Sequence, residues 1–301
     1  MARVNRENLT AAAYIACWKI VRYLPQPVAA WLFERGADYA SDNGAGLEQL
    51  RQNLSRVVGP ENVTRELVRD SMRSYMRYWL EAFRLPAIHA DPSLHEQLLA
   101  GMKGKEYSDA SIASGRGVIF ALPHSGNWDM AGVFCVNHYG GFTTVAERLK
   151  PEALFDAFVD YRESLGFTVL PLTGASSSPF PRLKDTLERG GVVCLLAERD
   201  LTRTGVTVDF MGEEANVAAG PAQLAIETGA ALHVVHSFFE GDGWGLSVSP
   251  EIEVTTLQET CQRMADGFAK NIREHPEDWH MLQPQWNADV KRRRRKQRDR
   301  T

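Results

Sequence analysis

Pro123-His124-Ser125-Gly126-Asn127-Trp128-Asp129 lies where an apolar strand gives way to an apolar helix. The residues before it, 117–122, form the short apolar run that is typical of a buried strand, and residues 130–136 begin an apolar helical pattern. A histidine therefore stands at a strand-to-helix turn, with an aspartate five positions later. Gly126 and Asn127 supply the unusual backbone angles that such a turn needs.

The alternation of strands and helices continues beyond this turn to the end of the sequence. Apolar runs predict strands at 117–122, 143–147, 168–172, 192–197, 231–239 and 245–249. Helical patterns predict helices at 130–138, 151–164, 179–189, 219–228 and 256–274. This order predicts an α/β fold with a mixed, largely parallel central sheet flanked by helices. The last two strands, which are joined through Gly241-Asp242-Gly243, are predicted to form a hairpin.

The amino-terminal part of the chain shows helical patterns alone. An apolar stripe over residues 64–84 predicts a helix that Pro86 ends. Residues 11–33 predict two amphipathic helices broken at the prolines Pro25 and Pro27. They do not predict a membrane span, because charged residues interrupt them before twenty apolar residues accumulate.

These patterns predict three regions along the chain. A helical N-terminal region covers residues 1–90 and packs on an α/β core over residues 91–290, and a basic disordered tail covers residues 291–301. Eight of the eleven tail residues are basic, whereas the whole chain has a formal net charge of -4. An acidic body with a short basic tail does not indicate a nucleic-acid-binding protein. The tail has two interpretations, a contact with anionic lipid and a solubilising extension.

The composition of the 301-residue chain is that of a globular protein, with 44% hydrophobic and 24% charged residues. Its four cysteines are scattered without a Cys-x-x-Cys pair, so we expect neither a disulfide framework nor a zinc ribbon. His233 and His236 are three apart on a predicted strand and would face opposite sides, which makes a poor metal pair. We therefore predict no metal site.

The His124 imidazole is a candidate general base, since a neutral imidazole accepts a proton at cellular pH. A carboxylate on its other ring nitrogen would fix the tautomer and stabilise the imidazolium. Asp129 can play this part if His124 lies in the turn and Asp129 in the first turn of the helix. The competing interpretation is a histidine that only caps the helix.

Ordered motifs give the sequence a resemblance to a known family. The run from His124 to Asp129 resembles the His-x4-Asp box of glycerolipid acyltransferases, in the branch of the late acyltransferases of lipid A biosynthesis. Four ordered matches accompany it, in Leu195-Leu196-Ala197-Glu198-Arg199-Asp200, Asp209-Phe210-Met211-Gly212, Ala225-Ile226-Glu227-Thr228-Gly229-Ala230 and Pro276-Glu277-Asp278-Trp279. Lipid A enzymes generally carry Glu at the position of Asp129. This difference and the arginine-rich tail look more like the actinobacterial phosphatidylinositol mannoside acyltransferases.

The resemblance implies a reaction, its substrates and a set of roles. It implies acyl transfer from palmitoyl-CoA, as co-substrate and not as a bound cofactor, to a mannose hydroxyl of a phosphatidylinositol mannoside. His124 is then the base, Asp129 orients it, and Glu198 completes the relay or holds the acceptor. Arg162, Thr204 and Glu227 are candidate donor contacts, and Glu147, Arg199 and Arg203 are candidate substrate contacts. A solvated charged surface is the competing interpretation for each of these six residues.

Such an enzyme would work at the cytoplasmic face of the cell membrane, where residues 11–33 with Trp18 and Trp31 would attach it as a peripheral protein. The acyl chain of the donor needs an apolar groove, and we expect the helix over 64–84 to supply one wall of that groove. Several alternatives remain open. The acceptor could be lipid A or another glycolipid or lysophospholipid, the reaction could be the hydrolysis of acyl-CoA, and the chain could be a lipid-binding protein with a degenerate site.

Overall fold

The computed structural model describes residue 18 and residues 20–148, 151–172, 178–201 and 204–291. Its strands, in chain order, are β1 (Met102–Lys103), β2 (Val118–Leu122), β3 (Thr143–Ala146), β4 (Thr168–Pro171), β5 (Val192–Leu196), β6 (Val206–Phe210), β7 (Glu213–Val217), β8 (Ala231–Glu240) and β9 (Gly243–Val248). Seven of them form one sheet in the order β1-β9-β8-β2-β5-β3-β4. Its neighbouring strands are parallel except in the hairpin of β8 and β9. The predicted α/β fold with a mixed, largely parallel sheet is therefore confirmed.

Helices cover both faces of the sheet. In chain order they are α1 (Gln26–Ala40), α2 (Glu48–Val58), α3 (Arg65–Ile88), α4 (Pro92–Ala100), α5 (Lys105–Ala113), α6 (Trp128–Tyr139), α7 (Glu152–Ser164), α8 (Phe180–Glu188), α9 (Gly220–Thr228) and α10 (Leu257–Glu274). Successive residues of β2 alternate between two apolar layers, because strand side chains have a period of two. Phe120 and Leu122 pack with α3, α6 and α7. Ile119 and Ala121 pack with α8, α9 and α10.

The strands and helices predicted for the α/β region are present, and their ends differ from the predicted ones by at most two residues. The short strand β1, the helices α4 and α5 and the two-stranded antiparallel ribbon of β6 and β7 were not predicted. These elements have nine residues or fewer, and such lengths give a weak periodic signal. The boundary at residue 90 stays a prediction.

Pro25 and Pro27 act differently in the N-terminal segment. Residues 20–23 are helical, the chain leaves the helix at residues 24–25, and α1 begins at Gln26. The predicted break is therefore present at Pro25. The prediction for Pro27 is wrong, because it lies in the first turn of α1, where the N–H that proline lacks has no helical partner. Residues 11–17 and 19 lie outside the described part of the chain.

The prediction that Pro86 ends its helix is also wrong. The Thr64 hydroxyl caps α3 by accepting a hydrogen bond from the Leu67 N–H at 3.0 Å, and α3 continues through Pro86 to Ile88. Pro86 removes one helical hydrogen bond, but only two residues follow it in α3, so little regular helix is disturbed. Over the described ranges, every helix is too short or too polar to reach across a bilayer.

Candidate active site

Two strand ends bring His124 and Glu198 together. β2 and β5 are parallel neighbours whose last residues, Leu122 and Leu196, face each other in the ladder. His124 and Glu198 each follow their strand by two positions, so they leave the sheet side by side at its carboxyl edge. Functional groups in parallel α/β sheets lie at this edge.

The Glu198 carboxylate binds both the ring and the backbone of His124. Glu198 Oε1 accepts from the His124 backbone N–H at 2.9 Å, and its two oxygens lie 2.8 and 3.0 Å from Nδ1 of the ring. Burial alone would raise the pKa of the Glu198 carboxyl, but the charge and hydrogen bonds of His124 lower it. An ionised carboxylate at Nδ1 places the ring proton there, which leaves Nε2 as the basic nitrogen.

The exposure of the two side chains differs in the way that a general base requires. Glu198 is fully buried, whereas the His124 side chain is 28% exposed. The ring can therefore be reached from outside while its carboxylate partner is shielded from water. This arrangement can take a proton from a hydroxyl group and stabilise the imidazolium that forms.

The loop that carries His124 is fixed by the segment over residues 278–280. The backbone N–H of Gly126 donates to the Asp278 carbonyl at 2.9 Å, and the His280 N–H donates to the His124 carbonyl at 2.8 Å. The Ser125 hydroxyl also donates to the Asp278 carbonyl, at 3.0 Å. Ser125 is fully buried and its hydroxyl proton is engaged, so it is a poor candidate nucleophile.

Gly126 is needed for this close approach. Its φ is +54°, and a Cβ atom there would lie 2.5 Å from the backbone carbonyl of Ser237. The neighbouring Asn127 N–H donates to the Ser237 hydroxyl at 3.0 Å. The loop is therefore pressed against β8 in a conformation that a larger residue at position 126 would disturb.

Asn127 links the start of α6 to α3. Its side-chain oxygen caps α6 by accepting from the Met130 N–H, and its amide donates to Glu81 on α3 at 2.7 Å. Glu81 is only 8% exposed and also accepts from Arg77 and Trp244, each at 2.8 Å. Sequence reasoning missed Glu81, although a carboxylate beside the apolar stripe of α3 was a signal that it has buried partners.

The sequence-based pairing of Asp129 with His124 is wrong in this structure. Asp129 is 2% exposed, and its oxygens accept from Arg162 Nε at 3.0 Å and from the Tyr78 hydroxyl at 3.1 Å. As the second residue of α6, it points towards α3 and α7 and away from the strand ends. Glu198 holds the ring position that was predicted for Asp129.

Arg162 is committed to Asp129. Burial opposes the charged form of the guanidinium, but the Asp129 carboxylate raises the pKa of Arg162 above its ordinary value. The Arg162 side chain is 18% exposed. We expected Arg162 to bind the phosphates of the donor. In the structure its guanidinium is instead paired with the buried Asp129 carboxylate.

The other predicted contacts are spread over the molecule. Glu147 is exposed and follows β3, so it lies at the same sheet edge as His124. Arg199 is half-buried next to Glu198, Thr204 is exposed before β6, and Arg203 lies outside the described residues.

Glu227 is at the wrong edge of the sheet for a donor contact. It lies near the end of α9, four residues before Ala231, and Ala231 pairs with Val118 at the start of β2. His124 follows the opposite end of that strand. Glu227 instead binds Lys184 at 3.0 Å on the surface. The prediction that it faces the site is wrong.

An apolar cavity lies between the sheet and α6, and it is lined in part by Trp128, whose ring contacts the His124 ring. It is lined mainly by side chains from β2, β5, α6 and the α7 region, which include Phe120, Leu122, Trp128, Gly132, Phe134, Cys135, Phe142, Phe167, Cys194 and Leu196. Asp129 and Arg162 are the charged side chains among its lining. No residue of the predicted stripe of α3 is among its lining, and Val68, Met72 and Phe83 are instead buried in the core. The expectation that this helix supplies one wall of the groove is therefore wrong for this cavity.

Two further groups near the site were not predicted. Ser74 Oγ lies 2.6 Å from Asp278 Oδ1 and 2.9 Å from Nε2 of His280. The Gln285 amide donates to the Glu198 carbonyl. Because these residues come from both ends of the sequence, no local pattern connects them with His124.

A possible metal-binding group was also missed. Ligand atoms of His275, Glu277 and Asp278 lie within 4.8 Å of one another. Both Asp278 oxygens already accept hydrogen bonds, from the Ser74 hydroxyl and from the Phe239 N–H. The arrangement therefore has a structural explanation without an ion.

Comparisons with known proteins extend over nearly the whole chain. The sequence model of a family described as bacterial lipid A biosynthesis acyltransferase matches residues 2–288. The chain is 55% identical over 292 residues to a protein of Mycolicibacterium smegmatis named phosphatidylinositol mannoside acyltransferase, with 96% of this chain and 95% of that protein covered. A protein of the same name from Mycobacterium tuberculosis H37Rv is 53% identical over 289 residues, which cover 95% and 91% of the two chains.

Proposed function

Since this chain belongs to the bacterial lipid A biosynthesis acyltransferase family, we propose that it transfers a palmitoyl group from palmitoyl-CoA to a mannose hydroxyl of a phosphatidylinositol mannoside. The names of the two mycobacterial relatives support this acceptor, because both are at least 53% identical to the chain over nearly its full length. The single observation that carries the chemistry is the contact of Glu198 with Nδ1 of His124 beside an apolar cavity.

His124 is the general base of the proposed reaction. Nε2 takes the proton of the attacking hydroxyl while its oxygen bonds to the thioester carbon. Glu198 keeps the Nδ1 proton in place and stabilises the imidazolium. When the carbon–sulfur bond breaks, the CoA thiolate takes the proton from Nε2, and the products are the ester and free CoA.

The apolar cavity is the proposed site of the acyl chain. Its lining is mostly hydrophobic, with Asp129, Arg162, Thr144 and Tyr139 as the residues that carry charged or hydroxyl groups, so a fatty acyl chain could replace water along most of it. The proposed role of Asp129 is consequently structural, since it fixes Tyr78 and Arg162 at the cavity. Glu147 and Arg199 stay candidate acceptor contacts because they lie at the sheet edge of His124, and Thr204 and Arg203 stay candidates beyond β5.

Peripheral attachment to the cytoplasmic face of the membrane completes the proposal. Large apolar side chains of the helical segment 20–23 and of α1 are exposed, and they include Ile20, Tyr23, Val28, Trp31 and Leu32. Such a row can enter the interfacial layer of a bilayer. Flotation with anionic liposomes tests this, and a paired Trp31→Ser and Leu32→Ser variant should float less. Equal flotation of the variant would exclude this row as the anchor.

The activity is tested with radiolabelled palmitoyl-CoA and a panel of lipid acceptors. The wild-type protein should produce acylated phosphatidylinositol mannoside, and His124→Ala should lose transfer by about 100-fold or more while it keeps its fold. Lipid A precursors and lysophospholipids in the panel test the other acceptors. Free palmitate as the main product would indicate a thioesterase. Transfer by His124→Ala at the wild-type rate would exclude His124 as the base.

A further inference from the structure

An unpaired indole N–H lies next to His124. The Nε1 atom of Trp128 is buried and has no hydrogen-bond partner among the described residues. A buried donor without an acceptor costs about 1–3 kcal/mol, so proteins seldom keep one without a reason. We propose that the Trp128 N–H donates a hydrogen bond to the thioester carbonyl oxygen and stabilises its negative charge in the transition state. This inference rests on the proposed function.

Trp128 lies at the junction of the base and the acyl cavity. Its ring makes an edge contact with the His124 ring, with centroids 5.5 Å apart and planes at 76°. The same indole lines the apolar cavity. An acyl chain in the cavity must place its carbonyl carbon within reach of a hydroxyl at His124. The carbonyl oxygen therefore lies in the immediate surroundings of Trp128.

The indole is held firmly in its orientation. It stacks on Tyr78 with ring centroids 3.9 Å apart and planes at 29°. The Tyr78 hydroxyl donates to Asp129, which Arg162 holds from the other side. Asp129 is therefore a positioning residue that acts through Tyr78 on Trp128. A donor fixed before the reaction needs no reorganisation when charge develops, which is how such groups accelerate acyl transfer.

The electron flow shows where this donor acts. As the hydroxyl oxygen bonds to the thioester carbon and its proton moves to Nε2 of His124, the carbonyl π electrons move onto oxygen. The resulting oxyanion accepts the Trp128 N–H. It then re-forms the carbonyl as the carbon–sulfur bond breaks, and the thiolate takes the proton from His124. Because negative charge on this oxygen is greatest in the transition state, the hydrogen bond should affect kcat more than KM.

A second buried indole provides a control outside the site. Trp286 belongs to the other apolar layer and does not line the cavity, and its Nε1–H donates to the Phe210 carbonyl at 2.8 Å. The same replacement removes that N–H from the ribbon of β6 and β7. It should therefore affect stability and not the transfer step.

The experiment replaces Trp128 with benzothienylalanine, which has sulfur in place of the N–H and keeps the size and stacking of the ring. Trp128→Phe is the second variant, and the benzothienylalanine substitution at Trp286 is the control. With palmitoyl-CoA and phosphatidylinositol mannoside, kcat should fall by about 100-fold in both Trp128 variants. KM for palmitoyl-CoA should stay within about threefold, and the control should keep kcat within about threefold.

The outcomes separate this inference from the proposed function. If the wild-type protein does not acylate the acceptor, the proposed function fails and the inference fails with it. If the wild type is active and either folded Trp128 variant keeps kcat within threefold, the inference alone is overturned. A loss confined to KM would also overturn it, because it would assign Trp128 to ground-state binding. Arg162, which lines the same cavity, would then be the next donor to test.

Discussion

Glu198 contacts His124 because two strand ends coincide, and the chemistry depends on the charge of that carboxylate. Its oxygens lie 2.8 and 3.0 Å from Nδ1 of His124 while the carboxylate itself is fully buried. A neutral group of the same shape could still accept a hydrogen bond from the Nδ1–H. It could not stabilise the imidazolium to the same extent.

Glu198→Gln is expected to lower kcat by about 100-fold while the fold is kept. Because glutamine also has an N–H2 group, it can favour the wrong tautomer of His124. Steady-state transfer rates and circular dichroism measure the two effects. Glu251→Gln is the matched control, since Glu251 binds Arg116 at 2.8 Å near the start of β2. Similar rates for the two variants would contradict the role of Glu198.

The sequence predicted His124 as the base and Glu198 as part of its relay or as an acceptor contact, but it paired the His124 ring with Asp129. Each of the two residues comes after an apolar run, His124 two positions after 117–122 and Glu198 one position after 192–197. That β2 and β5 are neighbours, with Leu122 opposite Leu196, is decided by the packing of the whole sheet. Asp129 is closer in sequence to His124 and was therefore paired with it, although the direction of α6 turns its side chain away.

At the scale of elements, α3 holds the start of α6 through hydrogen bonds between side chains, and the shorter of them joins Asn127 to Glu81. The Asn127 amide donates to Glu81 at 2.7 Å, and both residues are at most 8% exposed. The same asparagine caps α6. An error in this contact would displace the loop between Asn127 and His124, because the two residues are three positions apart.

An exchange of the two side-chain types tests this contact. Asn127→Asp alone places two buried carboxylates against each other, so kcat/KM should fall by at least about tenfold. The double variant Glu81→Gln and Asn127→Asp restores a donor opposite an acceptor and should recover part of the loss, because the Trp244 N–H, which shares Oε2 of Glu81, loses its acceptor. Urea unfolding of the wild type, the single variants Asn127→Asp and Glu81→Gln and the double variant should give a coupling free energy of about 1–3 kcal/mol. Additive losses would show that the contact does not position the loop.

Helices and strands with long apolar runs were predicted correctly. The predictions failed where contacts with distant parts of the chain decide the local structure. The predicted end of α3 at Pro86 was wrong because the last residues of the helix stay together beyond it. The ribbon of β6 and β7 was not predicted because its exposed positions carry charged and polar side chains. Trp286 on a distant segment donates to the Phe210 carbonyl and fixes its turn, a contact that no local pattern in residues 206–217 announces.

At the scale of the whole molecule, buried histidines make folding sensitive to acid. Burial lowers the pKa of His236 to about 3, and burial with the nearby charge of His124 lowers the pKa of His280 to about 3, from an ordinary value of 6.5. Below pH 6.5 the unfolded chain takes up protons at these residues and the folded chain does not. The stability they provide is therefore lost as the pH falls from 6.5 towards 3.

Asp278 acts in the opposite direction and with smaller weight. Burial raises its pKa from 3.8 to about 6, so below pH 6 the folded chain holds a proton that the unfolded chain releases until pH 3.8. This proton stabilises the fold as the pH falls through 6. Each group changes the free energy of unfolding by about 1.4 kcal/mol per pH unit in its window. The loss of stability from the two histidines is therefore larger than the gain from the one aspartate.

The free energy of unfolding should therefore fall by about 3 kcal/mol between pH 7 and pH 5. Urea unfolding at several pH values measures it. In His236→Leu one of the two histidine contributions is absent, so the fall should be clearly smaller. An identical pH dependence in the variant and the wild type would show that His236 is not buried in its neutral form.

The hydrogen bonds between the His124 loop and residues 278–280 also have a consequence for biosynthesis. During synthesis, His124 and Glu198 emerge from the ribosome well before Asp278, which follows Ser125 by 153 positions. Until then the Gly126 N–H and the His124 carbonyl lack their partners, and Gln285 has not reached the Glu198 carbonyl. A nascent chain thus carries the base and its carboxylate without the segment that aligns them. Acyl transfer should begin only after residues 278–285 have left the ribosome.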